Sequence, residues 1–158
     1  MRELILLRHA HAEPVANGQT DAERPLSGEG RREAAAAARW LRAQDLAPDR
    51  LLVSPARRAR ETAGAVLAEF GALDQREEAA IYEASPGELA ALADRHREVG
   101  RLLLVGHNPG VEQLAALMHS GQSGDYRGMP PAGIAVLRLP ADAAIEPGIA
   151  SLAAFWWP

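Results

Sequence analysis

Short, unbroken apolar runs alternate along the chain with longer segments of helical periodicity. Leu4–Leu7, Leu51–Val53 and Leu102–Val105 are continuous aliphatic runs, the pattern of strands buried on both faces. Each leads, directly or through a loop, into a stretch patterned as a helix: Gly30–Leu41, Arg57–Phe70 and Val111–Met118. A further helix is expected from about Pro86 to Arg97. There Ser85 can cap, Pro86 takes the first helical position, and Glu88 completes a capping box. Towards the end, Ile134–Leu139 and Ile149–Phe155 read as strands joined by Pro140–Gly148, too short a link for a parallel crossover, so an antiparallel pair is expected. Repeated strand–helix units predict an α/β three-layer sandwich, with a mostly parallel sheet, helices on both faces and an antiparallel C-terminal strand pair. Two connections are long, Ala10–Leu26 and His119–Gly133, and loops of that length in a compact domain are often functional.

At 158 residues the chain suits a single domain over 1–158, with no linker or repeat in its pattern. The first apolar run is too short for a signal peptide or a membrane span, and the absence of cysteine removes disulfides, thiolate zinc sites and thiol nucleophiles. A cytoplasmic protein is expected. A net charge of −4 argues against a nucleic-acid partner held by phosphate contacts, and no membrane partner is expected. All 17 basic residues are arginine, which rules out chemistry that needs a lysine, including the P-loop and Schiff bases. Any anion site must use Arg, His, backbone amides or a metal, and arginine offers phosphate a planar, bidentate contact.

The reactive residues fall where such a sheet binds ligands, at the carboxyl ends of its parallel strands. The first strand ends in Arg8-His9. The second ends in Ser54-Pro55 and opens a helix carrying Arg57, Arg58 and Arg60. The third ends in Gly106-His107-Asn108. Two histidines and several arginines thus converge on one edge, beside helix N-termini that favour anions. A neutral imidazole can attack phosphorus if its other nitrogen is held as a donor, and a second, protonated imidazole can stabilise the transferring oxygens with the arginines. No metal and no cofactor is required.

These residues carry a resemblance. Arg8-His9-Ala10 resembles the Arg-His-Gly signature of the histidine phosphatase superfamily, which contains phosphoglycerate mutases and acid phosphatases, with Ala10 in place of the glycine. The stretch from Ser54 to Ala63 is similar to its S-P-x-x-R-A-x-x-T-A segment, Gly106-His107-Asn108 to its second-histidine motif, and Arg24-Pro25-Leu26-Ser27 with Gly30 to its R-P-L-T-x-x-G element. The short, insert-free chain looks most like the SixA-type phosphohistidine phosphatases. The resemblance implies that His9 accepts the phosphoryl group, that Arg8 and Arg58 clamp it, and that His107 is the second catalytic histidine. It also implies that Arg24 is a further phosphate-side arginine. Glu83, after Ile81-Tyr82, resembles the family's proton donor only loosely. The implied function is hydrolysis of phosphohistidine on a protein, such as a phosphotransfer domain, through a phosphohistidine enzyme intermediate. Two alternatives stand beside it: a small-molecule phosphomonoesterase of the same superfamily, taking a small phosphate ester, and a non-enzymatic phosphate-binding module.

Other residues are expected to be structural. Arg57 and Arg60 should be solvated or pair with Glu61 or Asp49. His96, inside Asp94-Arg95-His96-Arg97-Glu98, reads as a surface residue, and His119 as the end of a helix. His11 could join His9 as a metal-binding pair, but no acidic residues repeat nearby at ligand spacing, and the arginines would repel a cation. Phe155, Trp156 and Trp157 read as an anchored C-terminal strand.

Overall fold

The computed structural model describes residues 1–126 and 128–158. Six strands form one sheet: β1 (Arg2–Arg8), β2 (Arg50–Val53), β3 (Asp74–Glu77), β4 (Arg101–Gly106), β5 (Ile134–Leu139) and β6 (Ser151–Trp156). Their order is β3-β2-β4-β1-β5-β6. The pairings β3-β2, β2-β4 and β4-β1 are parallel, whereas β1-β5 and β5-β6 are antiparallel. The expected mostly parallel sheet with an antiparallel C-terminal pair is therefore present.

Alternation along β1 shows how the layers are divided. Ile5 and Leu7 face a core shared with α1 (Gly28–Ala43) and α2 (Arg57–Phe70), while Leu4 and Leu6 face a second core with α3 (Pro86–Asp94) and α4 (Gly110–Ser120). Both faces of the strand are dry, which is why its sequence reads as an unbroken apolar run. Each such leucine contributes about 1.5–3 kcal/mol over an exposed one.

Caps set the helix ends. Ser27 Oγ accepts from the Gly30 N–H at the start of α1, and Ser85 with Glu88 forms the expected capping box on α3. Helix α3 stops at Asp94, short of Arg97, because the chain turns inward there. His96 lies in that turn and is buried, its Nδ1 accepting from Arg50 Nη1 at 2.9 Å. The surface placement expected for His96 is thus corrected: a ring whose nitrogen is paired with a guanidinium can enter the protein among charged neighbours. Strand β3 has no counterpart in the apolar pattern, since all four of its residues are exposed on the sheet's edge. No helix among the described residues is long and apolar enough to cross a membrane.

Candidate active site

β1 and β4 end together, with Arg8 paired to Gly106 and the His9 N–H donating to the Gly106 carbonyl at 3.0 Å. That register brings His9 and His107 side by side, their ring centroids 5.1 Å apart and their planes tilted by 58°. The Nδ1–H of His9 donates to the carbonyl of Ala10 at 2.7 Å, which leaves the Nε2 lone pair free. Burial, reinforced by His107, Arg58 and Arg8, pushes the His9 pKa down to about 3, so the ring is neutral at pH 7.

The Ala10 peptide is itself held. Its N–H donates to Thr62 Oγ1 at 3.0 Å, and Thr62 Oγ1 donates to the Arg58 carbonyl at 2.8 Å. Thr62 is wholly buried on α2, one turn beyond Arg58. The Arg58–Thr62 spacing therefore ties the turn that follows His9 to the helix that carries Arg58.

Helix α2 buries Arg58, Ala59, Thr62, Ala63 and Val66. Arg58 is only 6% exposed, whereas its neighbours point outward: Arg57 pairs with Glu61, and Arg60 reaches Glu77 and the Pro55 carbonyl. Asp49, the other expected partner, instead accepts from the Arg101 N–H. On the opposite side of the site, Arg8 Nη1 donates to the Met129 carbonyl at 2.8 Å. Asn108 Nδ2 donates to the same carbonyl and to Glu112, which also accepts the Met129 N–H. Asn108 and Glu112 thus position Arg8 through the backbone of one residue, Met129, held at its N–H and its carbonyl. Arg8 Nε, Arg58 Nε and His107 Nδ1 are buried donors or acceptors without partners among the described residues.

His107 is held by Ser54, whose Oγ lies 2.7 Å from Nε2. Burial first, then Arg58, pushes its pKa to about 4, against the opposing pull of Asp21. The second imidazole is therefore neutral at pH 7 in the free protein.

Asp21 and Tyr82 belong to the site and were not anticipated. Arg58 Nη1 donates to the Asp21 carbonyl at 2.8 Å and Nη2 to its carboxylate at 3.0 Å, and the Tyr82 hydroxyl donates to that carboxylate. Tyr82, followed by Arg24 and Arg58, holds Asp21 far below the usual carboxylate range. The Tyr82 ring also meets His107 edge-on at 5.6 Å. Arg24 stands behind Asp21, with Nη1 on its carboxylate and Nε on the Glu13 carbonyl. Glu83 is exposed, with a left-handed φ of 57°, and lines the same 460 Å³ cavity as Arg58, Tyr82 and His107. A second cavity of 630 Å³ runs from Arg8 to Phe155 and the half-exposed Trp157, and Asn108 lines both. His11 turns away from His9, its Nδ1 2.7 Å from Ser27 Oγ. No group of three His, Asp or Glu side chains among the described residues could hold a metal ion.

This arrangement can place a phosphoryl group between a neutral imidazole with a free Nε2, a second imidazole and the guanidinium groups of Arg8 and Arg58. The model of the histidine phosphatase superfamily (branch 1) matches residues 4–99. An uncharacterized protein of Mycobacterium tuberculosis is 38% identical over 96% of this chain and 99% of its own. A crystal structure of a candidate phosphohistidine phosphatase SixA from Agrobacterium tumefaciens is 31% identical and superposes with a TM-score of 0.84, covering 99% of this chain and 98% of that one. The protein histidine phosphatase SixA complexed with tungstate, at 24% identity, shares the fold, with a TM-score of 0.82 over 98% of this chain and 96% of that one. With a family model spanning more than half its length and its motifs gathered at one sheet edge, the chain belongs to the histidine phosphatase superfamily, branch 1.

Proposed function

We propose that the chain hydrolyses phosphohistidine on a partner protein through a phosphorylated His9. The observation that carries the reading is the His9 ring, neutral and locked by Ala10 with Nε2 free, between Arg8, Arg58 and His107. In the first step the Nε2 lone pair bonds to phosphorus while the substrate's P–N bond breaks. Its electron pair returns to the leaving imidazole, whose other nitrogen already carries a proton, so a neutral ring departs. In the second step water attacks phosphorus, the His9–phosphorus electron pair returns to Nε2, and the water's proton leaves with the phosphate. Arg8 and Arg58 compensate charge on the transferring oxygens throughout.

A protein substrate is favoured by the surroundings. The two cavities flanking Asn108 are open to the surface, and one of them ends at the partly buried Phe155 and the half-exposed Trp157. An open site gives a small ester few remote contacts that could orient it, but it admits a side chain projecting from a folded surface. The test is turnover of phosphohistidine proteins beside 3-phosphoglycerate and sugar phosphates. We expect kcat/KM at least about a hundredfold higher for a phosphohistidine protein. Faster turnover of a small ester than of every phosphohistidine protein tried replaces this reading with a small-molecule phosphomonoesterase. Phosphate binding without turnover replaces it with a binding module.

A further inference from the structure

Ser54 closes β2 and is wholly buried. Its N–H donates to the Val105 carbonyl at 3.2 Å, which fixes its backbone in register with β4, the strand that delivers His107. Its Oγ has two further neighbours, the Ala56 N–H at 3.2 Å and His107 Nε2 at 2.7 Å. Ala56 precedes α2, so one hydroxyl joins the start of that helix to the second histidine.

The hydroxyl's inventory decides which way the short contact runs. A serine oxygen carries one hydrogen and two lone pairs. The Ala56 N–H takes a lone pair, because an amide can only donate. The hydroxyl hydrogen then has one acceptor among the described residues, His107 Nε2. In the opposite arrangement Nε2 would donate, and the Ser54 hydrogen would be left buried without an acceptor among the described residues, which costs the desolvation of an unpaired donor. Nδ1 of the same ring is buried and has no partner among the described residues.

We infer that Ser54 is a positioning residue that fixes His107 as the tautomer with its proton on Nδ1, making that ring a neutral hydrogen-bond donor to the transferring phosphoryl oxygens. The assignment deepens the proposed function and rests on His107 facing the phosphoryl group. It also gives the serine of the Ser54-Pro55 motif a chemical purpose. The motif joins a fixed tautomer to the helix that supplies Arg58, so donor and clamp are set by one turn of chain. The groups facing His107 are Arg8 and His9 from β1 and its end, Arg58 from α2, Asp21 from the first long loop and Tyr82 from the segment before α3. Ser54 is the group hydrogen-bonded to its ring.

The test labels the histidines with 15N and reads the His107 ring nitrogens by long-range correlation at pH 7, assigned with a His107→Gln variant. Wild type should show a protonated Nδ1 and an unprotonated Nε2. Ser54→Ala should lose that single form and lower kcat on p-nitrophenyl phosphate at least about tenfold, with its thermal midpoint followed in parallel. Ser54→Thr, which keeps the hydroxyl, should restore both the tautomer and kcat. A wild-type ring protonated on Nε2 overturns the assignment, and so does a Ser54→Ala chain with unchanged tautomer or unchanged kcat. If Ser54→Thr does not fold, the wild type and Ser54→Ala still decide. A wild-type chain with the expected tautomer and no hydrolytic activity overturns the hydrolase reading while leaving the tautomer assignment supported.

Discussion

The carboxylate of Asp21 lies 3.0 Å from Arg58 Nη2, while the Asp21 carbonyl accepts from Nη1 of the same guanidinium. A residue of the first long loop therefore aims the most buried arginine of the site. An acidic side chain beside a phosphate site would, by charge alone, oppose the ligand. Here that charge is shared with Tyr82 and Arg24 as well as Arg58. Asp21→Ala is expected to lower kcat/KM for p-nitrophenyl phosphate by about tenfold or more, largely through KM, as a loosened clamp should. Asp21→Asn, which keeps an acceptor, should lose less. Steady-state kinetics decide between the two effects, since a gain in affinity for Asp21→Ala would mean that charge repulsion outweighs positioning.

Removal of His9, the proposed nucleophile, is the most direct probe of the proposed covalent route. His9→Ala should lose at least about three orders of magnitude in turnover, because neither Arg8 nor His107 can take over the transfer. Wild type quenched during turnover should carry phosphate that is labile in acid and stable in alkali, as a phosphoramidate is. The reaction should persist in EDTA and be inhibited by vanadate. Near-wild-type turnover by His9→Ala, or activity lost to a chelator and restored by zinc or manganese, would remove the mechanism.

The same two rings link stability to pH. Burial holds His9 at about 3 and His107 at about 4, below the ordinary value for histidine in an unfolded chain, and His96 is lowered in the same direction. Between those values and about 6.5 the unfolded chain binds more protons than the folded one. The stabilisation is thus complete above about pH 6.5 and is lost as pH falls through the folded values. By pH 5 each of the two rings, His9 and His107, should have withdrawn at most about 2 kcal/mol. Urea unfolding at pH 7, 6 and 5 should show the decline, and a His9→Asn/His107→Asn variant should flatten it. An equal decline in that variant would place the effect elsewhere.

The close approach of α1 to the loop after His9 offers a test of the framework. A Cβ added to Gly30 would stand 1.9 Å from the His11 carbonyl oxygen, a backbone atom that cannot swing aside. The His11 carbonyl also accepts from the Ser27 N–H, so the first turn of α1 and the loop are locked together. Gly30→Ala should destabilise the fold by about 1–3 kcal/mol, read as a lowered urea midpoint, and should reduce activity by shifting the Ala10 peptide. Gly64→Ala, on the open side of α2 with nothing within 4 Å of the added carbon, is the control and should be neutral or stabilising.

The sequence was most informative where burial is two-sided. Leu4–Leu7 and Leu102–Val105 announce central strands because both of their faces are dry, and the motif residues follow directly at their ends. Among the arginines of α2 only the family resemblance singled out Arg58, and the structure places it on the buried face with Ala59, Thr62 and Ala63. Asp21 and Tyr82 were illegible for the opposite reason. They meet across 61 residues, through a contact that no local pattern encodes. β3, charged and exposed on an edge, looks like loop in one dimension, and His96 is drawn inward by Arg50 from another strand.

Glu83 provides the sharpest test of leaving-group chemistry. It stands exposed at the mouth of the cavity shared with Arg58 and His107, placed there by a left-handed backbone turn after Tyr82. An alkyl phosphate expels an alkoxide and so depends on a proton delivered at the transition state. A phosphohistidine expels an imidazole that can be protonated from solvent near neutral pH, and it depends on such an acid far less. Replacing the carboxyl by an isosteric amide removes the transferable proton while keeping the size and hydrogen-bonding capacity of the side chain. Glu83→Gln should therefore lower kcat on an alkyl phosphate by about ten- to a hundredfold, and on a phosphohistidine protein by less than about threefold. Equal losses on both substrates would make Glu83 a contact for the substrate body, and no loss on either would remove it from the chemistry. The unequal loss is expected because the demand for an acid belongs to the leaving group, and only one of the two substrates makes it.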